Sequence, residues 1–105
     1  MMSDSNHNIR FCYLYRDGGN YKQFGYITFS NPENLSIELI NSRLKTNLID
    51  GEFFIASKWQ IPALQSFPFD EELDHNWHEF EKLQITHEPL TEKISISEFL
   101  QSIEI

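Results

Sequence analysis

Two short β-prone segments separated by a glycine-rich reversal constrain this chain more than anything else in it. Ile9 to Tyr15 alternates, with Ile9, Phe11, Tyr13 and Tyr15 on one face and Arg10, Cys12 and Leu14 on the other. Both faces are partly apolar, which predicts an inner strand. Asp17-Gly18-Gly19-Asn20 follows, where Gly and Asn adopt positive φ at little cost. Gln23 to Ser30 is the returning strand, with Phe24, Tyr26, Thr28 and Phe29 as β-favouring bulk. The two segments predict an antiparallel hairpin.

Later segments complete an α+β pattern. Ser30-Asn31-Pro32-Glu33-Asn34 ends the strand, and Asn31 or Asn34 is suited to cap a helix over 36–47. In that helix Ile37, Ile40, Leu44 and Leu48 take the apolar stripe. Asp50-Gly51 closes it, and Phe53-Phe54-Ile55-Ala56 is too short to separate a buried strand from a connector. Trp59 to Phe69, with Pro62 and Pro68, predicts an irregular but packed stretch. Asp70 to Asp74 reads as an acidic loop or a single helical turn, and Trp77 to Thr86 as a third strand of imperfect alternation. In that strand Trp77, Glu79, Glu81, Leu83 and Ile85 share one face, and His78, Phe80 and Lys82 the other. Ser95 with Glu98 forms a capping box for a helix over 95–104, striped by Ile96, Phe99, Leu100 and Ile103. The expected architecture is one α+β domain over 9–105, an antiparallel sheet of three to four strands with two helices packed on one face. Residues 1–8 are polar and expected to be disordered.

Composition supports a packed domain. The chain has 105 residues, and its nine Phe, four Tyr and two Trp supply large side chains to a core that needs no staples. Cys12 is the single cysteine and has no intramolecular disulfide partner. No secretory signal opens the chain and no apolar run approaches membrane length, so the expected location is the cytoplasm, without membrane attachment.

Charge is divided unevenly. Residues 1–58 balance six acids against six bases, whereas 59–105 carry ten acids against Lys82 and Lys93, which accounts for the net charge of -8. Such a chain is not expected to bind nucleic acid directly, because that requires clustered Lys and Arg.

Four constellations bear chemistry. Arg16, Asp17, Asn20, Tyr21 and Lys22 surround two glycines and could flank an anion or stack on a ring, although the spacing matches no phosphate or dinucleotide motif and turn geometry alone explains it. His75, His78 and Glu79 carry metal-ligating atoms. On a strand, however, positions three apart point to opposite faces, and solvated or hydrogen-bonded histidines explain the pair equally. Cys12, mid-strand among apolar neighbours, fits inert packing better than nucleophilic work. Finally, Asp70, Glu71, Glu72, Asp74, Glu79, Glu81, Glu88 and Glu92 interleave with Phe67, Phe69, Leu73 and Trp77. Acids around exposed aromatics could dock on a basic protein surface, or imitate nucleic-acid phosphates before a nucleic-acid-binding protein; a solvated face is the plain alternative.

Tyr15-Arg16-Asp17…Asn20-Tyr21-Lys22, Asp50-Gly51-Glu52-Phe53-Phe54 and Asp74-His75-Asn76-Trp77-His78-Glu79-Phe80 together resemble a family of short uncharacterised bacterial proteins, over about residues 13 to 80. The resemblance implies a bacterial cytoplasmic origin and transfers no activity and no functional residue.

These readings converge on a small acidic non-enzymatic interaction module with a basic protein partner. The alternative is a small-ligand or metal-dependent site between the 16–22 loop and the 74–79 segment, with hydrolysis among the chemistries open to it. No cofactor is expected, and the oligomeric state is open.

Overall fold

A computed structural model of the chain describes residues 7–16, 21–64 and 77–104. The expectations for residues 1–6, for the Asp17–Asn20 reversal and for the acidic run 70–74 lie outside them. The elements are β1 (Asn8–Arg16), β2 (Lys22–Phe29), α1 (Ile37–Asn47), β3 (Phe53–Ile55), α2 (Ala56–Trp59), β4 (Trp77–Thr86) and α3 (Ile96–Ile103). Together they make an α+β domain around a four-stranded antiparallel sheet of order β2-β1-β4-β3. No helix among the described residues is long and apolar enough to cross a membrane.

Strand β1 is an inner strand, and the reason is visible in its residues. Phe11, Cys12, Tyr13, Leu14 and Tyr15 are all buried, so neither face of the strand meets water freely. It pairs with β2 from Ile9 opposite Phe29 to Arg16 opposite Lys22. On its other side it pairs with β4, Asn8 lying opposite Thr86.

The imperfect alternation of β4 has a local cause. Cys12 lies opposite Lys82 and Tyr13 opposite Phe80, so the register shifts and Glu81 is left over as a bulge. One extra residue turns the following side chains to the other face. Phe80 and Leu83 therefore both pack on the core, although strict alternation places them apart.

The N-cap of helix α1 lies two residues beyond Asn34 and five beyond Asn31. Ser36 is the N-cap, its hydroxyl accepting from the N–H of Leu39 at 3.1 Å. Asn31 instead folds the approach, its side-chain oxygen accepting from Leu35 N–H and its amide donating to Leu35 C=O. Asp50 and Gly51 both have positive φ, 54° and 72°, and carry the chain from α1 back into β3. The four-residue helix α2 runs into the start of the stretch that the sequence reads as irregular. It ends at Gln60, whose left-handed backbone donates to Ala56 and Ser57 carbonyls.

Helix α3 carries the full capping box of Ser95 and Glu98. Its Ile96, Phe99, Leu100 and Ile103 join Ile40, Leu44, Phe54, Ile9, Phe11 and Phe29 in one buried cluster. Rings dominate the cluster, with Phe29 stacked on Phe99 at 4.7 Å and Phe54 on Trp59 at 4.9 Å.

The stretch between β4 and α3 covers part of the sheet edge. Thr28 C=O accepts from the N–H groups of Thr91 and Glu92, Thr28 N–H donates to the Thr91 hydroxyl, and Ser30 C=O accepts from Ile96 N–H. Those bonds satisfy backbone groups of β2 and of Ser30 just beyond it that would otherwise face outward.

Candidate functional site

The sequence nominates two polar clusters, and one pair of residues joins them. Arg16 at the end of β1 and Glu79 near the start of β4 form a two-pronged pair, Nε to Oε2 at 2.9 Å and Nη2 to Oε1 at 3.5 Å. The carboxylate strengthens the guanidinium's hold on its proton. Leu14 lies opposite Glu79 and Lys22 opposite Arg16, so register alone brings these residues together. Lys22 and Tyr21 are exposed nearby, Tyr21 at 76%. Asp17, Asn20, Glu71, Glu72, Asp74 and His75 lie outside the described residues.

His78 faces the other way. It is fully buried, and its Nε2 accepts the backbone N–H of Leu64 at 3.0 Å. Tyr15, Phe54 and Tyr13 surround its ring at 5.0, 5.8 and 5.9 Å. His78 and Glu79 occupy opposite faces of β4, one in the core and the other paired with Arg16. Among the described residues no group of three His, Cys, Asp or Glu is placed to hold a metal ion.

Other chemistry-bearing groups are held quiet. Burial, reinforced by the charge of Glu81, pushes the Cys12 thiol up, away from the thiolate a nucleophile needs. Tyr13 donates its hydroxyl to Pro62 C=O at 2.6 Å, and burial pushes its phenol up to about 12.

Trp77 is the exposed aromatic of this region. It is 41% exposed, with its ring 5.6 Å from Phe53 on the neighbouring strand. In sequence it stands three residues beyond the acidic run that ends at Asp74.

Two features carried no signal in the sequence. Phe24 and Tyr26 on β2 are 63% and 53% exposed, with the Arg10 guanidinium 4.6 Å above the Tyr26 ring. The ion pairs among the described residues, Arg10–Glu88, Arg16–Glu79 and Arg43–Glu104, each join an arginine of the neutral front half to a glutamate of the acidic back half. Arg43 holds the Glu104 carboxyl below its ordinary range. Part of the lopsided charge is thus consumed in closing the fold. No family model, curated protein or solved structure matches the chain.

Proposed function

We propose that the protein is a non-enzymatic interaction module that presents acidic and aromatic groups to a basic surface of a protein partner. The observation that carries this reading is the exposure of Trp77, which follows the acidic run in sequence. A tryptophan left 41% in water is an anchor of the kind that dominates protein interfaces. The three arginine pairs sharpen the argument. They neutralise Glu79, Glu88 and Glu104, and of the seven acids left in the back half the densest run in sequence is Asp70, Glu71, Glu72 and Asp74. In this reading α1 and α3 pack on one face of the sheet, which their shared core cluster supports, and the protein works in the bacterial cytoplasm.

Salt-dependent association tests the reading. Complex formation with the partner weakens as ionic strength rises, and weakens again when Glu71, Glu72 and Asp74 all become Lys. A partner pull-down indifferent to that triple substitution removes the proposal.

A small-ligand site is the second reading, and the Arg16–Glu79 contact between the two clusters favours it. Its ligand would have to displace a carboxylate already seated on the guanidinium. A panel of metals and nucleotides that leaves the melting temperature unmoved eliminates it.

A further inference from the structure

The β2 edge is only half covered. Thr28 turns its N–H and C=O away from β1 and bonds them to Thr91 and Glu92. Ladder groups in an antiparallel pair alternate with a period of two. Tyr26, Phe24 and Lys22 therefore turn their backbone groups to the same side as Thr28, and among the described residues nothing pairs with those groups. Natural edges are guarded by charged side chains (Lys above all), bulges or prolines, and here Lys22 is the only such guard among the described residues of the strand. The side chains flanking the open stretch, Phe24 and Tyr26, are more than half exposed.

We propose that a second copy of this chain docks on this edge, joining two sheets into one antiparallel sheet of eight strands. The edge is its own complement. With a two-fold axis through Phe24, each Phe24 meets the other Phe24, and each Lys22 meets Tyr26 of the second copy. This provides an aromatic pair flanked by two ammonium–ring contacts. A slip of one residue sets outward backbone groups against inward ones. A slip of two towards Thr28 meets backbone groups already taken by Thr91. The interface is independent of the acidic docking surface and differs from it in sign. Added salt screens the repulsion between two chains of charge -8 and strengthens self-association, while it weakens acidic docking.

Sedimentation of the full chain over a concentration series, with its Phe24→Asp variant alongside, tests the proposal. The wild type passes reversibly from monomer to dimer, more readily at high salt, and Phe24→Asp lowers the association constant by about tenfold or more. Opposed residues of a hydrogen-bonded antiparallel pair have Cα atoms about 5.5 Å apart, within disulfide reach. Phe24→Cys combined with Cys12→Ser therefore yields a disulfide-linked dimer on mild oxidation, and this variant decides the matter should Phe24→Asp fail to fold. A wild type that stays monomeric, a dimer unaffected by Phe24→Asp, failure of the Phe24→Cys variant to cross-link, or an edge that takes only foreign extended peptides each overturns the proposal.

Discussion

The backbone N–H of Leu64 donates to Nε2 of His78 across 3.0 Å, and this bond ties the irregular stretch after α2 to the buried side of β4. Leu64 then rests against β2, where a Cβ added at Gly25 would come within 2.8 Å of its Cδ2. The histidine nominated for metal binding thus supports a loop.

His78→Ala leaves an orphaned N–H and a cavity among Tyr13, Tyr15 and Phe54, and should cost about 3 kcal/mol of folding stability. His78→Gln, which keeps an acceptor, should lose less. Urea unfolding of the two variants gives the comparison, and equal losses argue against the hydrogen bond.

Thr28→Val should stabilise the protein. The Thr28 hydroxyl is buried and has no hydrogen-bond partner among the described residues, a burden of about 1–3 kcal/mol. Valine has nearly the same shape and lacks the polar atom, so a gain of about 1 kcal/mol is expected in chemical denaturation.

Alkali should weaken the fold through Tyr13. Its ordinary value of 10.0 rises to about 12 in the folded chain, because burial disfavours the phenolate and Glu92 adds to the effect. Between those values the unfolded chain has released a proton that the folded chain retains. Its contribution is therefore complete below pH 10 and is lost as pH climbs towards 12. Stability measured across this window should fall, and Tyr13→Phe should flatten the slope while forfeiting the bond to Pro62.

Ser95→Ala removes half of a capping box and should cost about 1 kcal/mol. Ser95→Asp, which preserves an acceptor for the Glu98 N–H, should restore most of that loss in thermal unfolding.

What could be read in the sequence follows from the range of the interactions involved. The β1–β2 pairing, α1 and α3 were legible because adjacent residues encode them: alternation on each side of a glycine pair, and a Ser–Glu box ahead of an apolar stripe. The bulge at Glu81 was not, since it exists only in relation to β1, about seventy residues away, and its trace in the sequence was the faltering alternation of β4. Helix α2 is a single turn, too short for any period to register. The Ser36 cap was missed because Asn31 has equally good capping chemistry and spends it on Leu35. At the candidate site, the meeting of Arg16 with Glu79 and the inward turn of His78 depend on strand register, which composition does not report. The charge asymmetry was plain in the sequence, but its share in the arginine–glutamate pairs emerged only from the fold.

Strand β1 is flanked by β4, so Asn8 sits beside Thr86 in the middle of the sheet. The hairpin of β1 and β2 forms locally, but its central position stays vacant until a segment from the far side of the sequence arrives. Closing so wide a loop costs chain entropy before any contact rewards it, which slows folding relative to a chain built from local contacts alone. Until β4 arrives, a hairpin of β1 and β2 alone would present two unpaired flanks, the β1 side that β4 later fills and the outer edge of β2.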